Sequence, residues 1–112
     1  MSAYGPAIFI SRRDGAELTE AERQRVLELA REAAARLRLR DENGEPARPR
    51  PHGYEEGTLA VLLHSGYVYS QMPAPIQADQ DDVWTAEGDR VTAEIEKAVP
   101  GVYAFEAYGV ED

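Results

Sequence analysis

The chain contains no cysteine, which excludes disulfides, thiolate metal sites and cysteine nucleophiles. It has no run of 18 apolar residues, so no stretch is suited to crossing a bilayer as a helix. No glycine-rich phosphate loop of either standard type occurs. Histidine is limited to His52 and His64, which share no recognisable ligand spacing. Lysine is almost missing: Lys97 alone stands against eleven arginines. The start, Met1-Ser2-Ala3-Tyr4-Gly5-Pro6, has no basic stretch ahead of an apolar one. The expectation is a cytoplasmic protein without a secretion signal.

What remains is 112 residues, a length that suits one domain able to bury roughly two-thirds of its unfolded surface. Its net charge of −9 is unevenly placed. Residues 1–52 hold ten arginines against nine acids, whereas 53–112 hold Arg90 and Lys97 against twelve. The C-terminal half therefore carries the negative field. Such a field repels nucleic acid, attracts basic partners and speeds encounter with them, and it also keeps a small domain in solution.

Ala7-Ile8-Phe9-Ile10-Ser11 is apolar and β-branched and reads as a strand, ended by the turn signal Asp14-Gly15. Thr19 and Glu22 have capping-box spacing, and a helix is expected from there to about Leu39. Its face is Val26, Ala30, Ala33 and Leu37, flanked by Leu27 and Ala34. Glu28 with Arg31 and Glu32 with Arg36 are spaced to pair on its wet side. Residues 41–57 are polar, hold three prolines and read as an irregular surface loop.

The segments 58–64 and 67–72 are separated only by Ser65-Gly66, the spacing of a two-residue hairpin. That pairing would set Leu63 against Val68 and Leu62 against Tyr69. Trp84, Gly88, Val91, Ile95 and Ala98 lie on one face of a second helix, weakened at Gly88, with Asp79, Asp81 and Asp82 suited to its first turn. A last strand over 102–110 holds Tyr103, Phe105 and Tyr108. The order β-α-β-β-α-β predicts an α+β, ferredoxin-like sandwich, a four-stranded antiparallel sheet with both helices on one face. Ile8 and Ile10 would then face the helices. Phe9, Leu62, His64, Tyr67 and Tyr69 would share the open face, an apolar patch of the kind that marks an interface.

Ile8-Phe9-Ile10 and Gly66-Tyr67-Val68-Tyr69 resemble the two aromatic elements of the RNA recognition motif. The resemblance covers about seven residues and would imply base stacking on the sheet. Ser65 stands where a basic residue precedes the glycine in that family, and Ser11-Arg12 replaces its Asn-Leu. Together with the acidic half, these departures weigh against nucleic acid. A calcium loop counted from Asp79 fails because Val83 and Trp84 fill its fifth and sixth positions. No metal, cofactor or catalytic residue is therefore expected.

The reading these features favour is a non-enzymatic protein-binding domain, of inhibitor or immunity type, for a basic partner. Asp79, Asp81, Asp82, Glu87, Asp89, Glu94 and Glu96 would steer that partner, and Trp84 or the sheet tyrosines would anchor it. The alternative is a homodimer through the open face. It would resemble small α+β barrels in which two sheets enclose a ligand or a small active site lined by Phe9, His64, Tyr67 and Tyr69.

Overall fold

The computed structural model describes residues 3–53 and 57–112. Six elements follow one another: β1 (Tyr4–Arg12), α1 (Glu20–Arg36), β2 (Arg50–Pro51), β3 (Leu59–Leu62), α2 (Ala74–Ala98) and β4 (Tyr103–Glu111). The four strands form one open antiparallel sheet in the order β2-β3-β1-β4. Both helices share a core with Ile8, Ile10, Leu59, Val61 and Leu63, so they lie on the same face.

The chemistry of α1 sets its ends. The Thr19 hydroxyl accepts from the Glu22 amide and the Glu22 carboxylate accepts from the Thr19 amide, satisfying two amides that the helix itself cannot. The helix stops short of Leu39, because Arg38 takes a left-handed conformation with φ 55°. The Leu39 amide then donates back to the Ala34 carbonyl, closing the C-terminus. The expected pairs along α1 give way to others. Arg25 faces Glu28 and Glu32, Arg31 donates to the Pro49 carbonyl, and Arg36 reaches Glu94 on α2.

α2 is continuous through Gly88 and begins at Ala74, earlier than the acids suggested, with Pro75 in its first turn. Asp79, Asp81 and Asp82 therefore lie beyond the first turn instead of within it. Gly88 is a contact point. A methyl group there would lie 2.6 Å from Ala107 Cβ and 3.3 Å from an Ile8 methyl, so its absence lets α2 settle onto β4 and β1.

The ferredoxin-like sandwich built on a 58–64/67–72 hairpin is not matched, because 67–72 is not a strand. β3 pairs with β1 on one side and with β2 on the other. Beyond the Leu63 amide, which donates to Pro6, the next bond to β1 joins the Tyr4 amide to Tyr67, two residues out of register. The extra length folds over Gly5, where any Cβ would collide with the His64 carbonyl. This bulge consumes Ser65-Gly66 and turns His64 towards α2. Residues Tyr69–Gln71 form a single 3-10 turn instead. Within the proline-rich segment, Arg50–Pro51 extends the sheet as β2.

Candidate functional site

The seven acids expected to steer a partner divide into two groups. Four are engaged within the fold. Asp81 accepts from the Tyr69 hydroxyl at 2.7 Å, and Glu87 meets His64 Nε2 at 2.6 Å. Glu94 pairs with Arg36 and Lys97, and Glu96 with Arg13 and the Gly101 amide. The charge of Lys97, joined by the Arg36 contact, holds the Glu94 carboxyl below its usual range. Asp79, Asp82 and Asp89 are exposed, and their carboxylates have no partner among the described residues. All three lie on the outer surface of α2.

The expected aromatic patch is split between two places. Phe9 and Leu62 keep their place on the face away from the helices, where Phe9 stacks on Tyr108 with ring centroids 4.5 Å apart. Tyr108 is 45% exposed. Beside this pair lies an open cavity of about 310 Å³ lined by Phe9, Ser11, Thr58, Ala104, Glu106 and Tyr108. Ala7 and Leu62 are nevertheless buried. Arg50, beside Leu62 in β2, reaches over the sheet to Asp112 at 2.6 Å, and Ser65 Oγ donates to the same carboxylate. Arg50 foremost, then Ser65, lowers the Asp112 carboxyl below the ordinary carboxylate value.

His64, Tyr67 and Tyr69 do not share that face. They gather with Tyr4 around Trp84 of α2, with Tyr67 edge-on to the indole at 5.8 Å and Tyr69 tilted at 5.4 Å. Trp84, expected as a surface anchor, is 1% exposed and lies against Gly109, where a Cβ would strike its ring. Burial and the nearby carboxylates of Glu87, Glu42 and Asp41 push the Tyr67 hydroxyl upward. The hydrogen bond to Asp81 does the same for Tyr69. This arrangement also removes the stacking platform of the RNA recognition motif, since Tyr67 and Tyr69 present their rings to Trp84.

The partly buried His64–Glu87 pair brings imidazole and carboxylate into hydrogen-bond contact. An ionised Glu87 only accepts, so it keeps the imidazole proton on Nε2. Ser65 is turned the other way, towards Asp112, so these groups do not assemble a nucleophile with its base. Among the described residues no cluster of three or more His, Asp or Glu is placed to hold a metal ion. Among the described residues no helix is long and apolar enough to cross a membrane.

One feature escaped the reading of residues alone: the outer side of β4. β4 pairs with β1 through nine consecutive partners, from Tyr4 with Glu111 to Arg12 with Tyr103, and closes one side of the sheet. Its strand character was readable, but which of its amides face outward is set by register. No protein-family model matches the chain, and no curated protein or solved structure compared with it matches either.

Proposed function

We propose that the chain is a non-enzymatic protein-binding domain that engages a basic partner, in the manner of an inhibitor or immunity protein. The observation that supports this most is the outer surface of α2. There the carboxylates of Asp79, Asp82 and Asp89 have no partner among the described residues, while Arg12, Arg13, Arg36 and Arg50 are each paired to an acid. Unpaired carboxylates on one surface give a directed field, which raises association rates more than final affinity.

The test compares the protein with a triple variant, Asp79→Lys, Asp82→Lys and Asp89→Lys, as bait in native lysate at low salt. The proposal expects one identified basic protein, released as salt rises and not retained by the variant. Equal retention of the same protein by both baits would contradict it.

A second reading rests on the Phe9–Tyr108 stack and its neighbouring cavity, which suit a homodimer through the open face that encloses a small ligand. Sedimentation velocity decides between them. This second reading predicts a dimer that dissociates on Tyr108→Ser, and a monomer at all accessible concentrations removes its basis.

A further inference from the structure

The bonds Asp112 N–H to Ala3 carbonyl and Arg13 N–H to Val102 carbonyl lie at the two ends of the β1–β4 pairing and fix its phase. In an antiparallel pair, bonded and non-bonded positions alternate. Ala104, Glu106, Tyr108 and Val110 therefore turn their amides and carbonyls into β1, while Phe105, Ala107, Gly109 and Glu111 turn theirs outward. Tyr103 also faces outward, but its carbonyl already accepts from Arg13 Nε. Among the described residues nothing bonds the other four. The strand has no proline, lysine or arginine to block its edge.

We propose that this edge is a strand-addition site for an extended, basic segment of a partner protein. The inference rests on the basic-partner reading and adds how that partner binds. Charge selects the occupant. Asp81, Thr85, Asp89 and Glu96 recur at helical spacing along α2, beside the Trp84 and Gly88 side that packs on β4. The position of that stripe is fixed at one end by Asp81, 3.5 Å from the Cβ position of Gly109. At the other it is fixed by Glu96, which meets the same Arg13 that bonds Tyr103. Glu106 stands on the opposite face of β4, and Glu111 near its end. An added strand therefore runs between two acidic walls. A second copy would set these acids against their own likes, which is destabilising when charges face each other directly.

Side chains of an added strand alternate between the two walls. Those on the helix side meet the stripe that includes Asp89. Those on the open side meet Tyr108 and the cavity beside Glu106. A segment alternating basic and small apolar residues fits this pattern, and main-chain bonds to the four outward residues supply the affinity.

The experiment uses an eight-residue peptide of alternating lysine and valine, and the same peptide N-methylated at every second residue. Methylation keeps the charge and removes the donors of one edge. Binding and amide exchange are followed by NMR at low salt. The unmethylated peptide is expected to slow exchange of the Phe105, Ala107, Gly109 and Glu111 amides and to bind at least about tenfold more tightly than its methylated form. Ala107→Pro, which deletes one outward donor, is expected to weaken the unmethylated peptide about tenfold or more while the Glu106 and Tyr108 amides stay protected.

Equal binding of both peptides with unchanged outward amides would overturn strand addition and leave the acidic-surface reading standing. Failure of both peptides to bind even at low salt would overturn both readings. Outward amides already protected in a dimer without peptide would assign the edge to a second copy and overturn the basic occupant.

Discussion

The two edges of the sheet are built in opposite ways. β2 is two residues long, contains Pro51 and ties its other residue, Arg50, across the sheet to Asp112. Short length, proline and an inward-reaching charge are the devices that keep a sheet edge from recruiting another strand. β4 is nine residues long, pairs without interruption and carries none of these devices. A chain that blunts one edge so thoroughly has the means to blunt the other. That β4 is left straight and open, beneath a helix with unpaired acids on its surface, is the difference on which the functional reading depends.

The largest effect is expected where α2 supports the open edge. Trp84→Ala removes a fully buried indole that rests on Gly109 and holds Tyr67 and Tyr69, and should cost about 3–5 kcal/mol in urea unfolding. A loss under about 1 kcal/mol would mean that α2 does not support β4.

A proline scan then separates the two sides of β4. Glu106→Pro deletes an amide turned into β1, and Ala107→Pro one turned outward. The first should be less stable than the second by about 1–3 kcal/mol in denaturant titration. Equal costs would break the assignment of inner and outer rows.

On the opposite side, Arg38 begins the segment that leads to β2, in a conformation that favours glycine. Arg38→Gly should stabilise the protein by about 1 kcal/mol in the same titration, with no change at β4. A destabilised variant would show that the Arg38 side chain matters more than its backbone.

The smallest effect concerns the tether. The Asp112 carboxyl sits below its unfolded value, so its contribution is present above the ordinary carboxylate range and is lost as pH falls through the folded value. The difference in melting temperature between the protein and Asp112→Asn should therefore shrink as pH drops below about 4. A difference that grew in acid would contradict the pairing with Arg50.

Much of the framework could be read from local pattern. The capping box, the buried Ile8 and Ile10, and the α2 face of Trp84, Gly88, Val91 and Ile95 each announce themselves within a few residues. The α+β class and its two helices followed from them, whereas the antiparallel sheet reaches four strands only because β2 takes the place of the strand expected over 67–72.

The failures share a distant cause. Ser65-Gly66 has hairpin spacing, but the chain bulges there because Gly5, sixty residues away, leaves room for the His64 carbonyl. Tyr67 and Tyr69 then find Trp84, a contact that period-two alternation cannot foresee. β2 is too short to show any period. Four of the seven acids looked free only because their partners, Tyr69, His64, Arg36 and Arg13, come from other elements.

Amide hydrogen exchange along β4 in the free protein tests the central claim most directly. Strict alternation is predicted: Ala104, Glu106, Tyr108 and Val110 slow, and Phe105, Ala107, Gly109 and Glu111 fast. Uniform protection along the strand would mean that the edge is already covered, and would contradict the account.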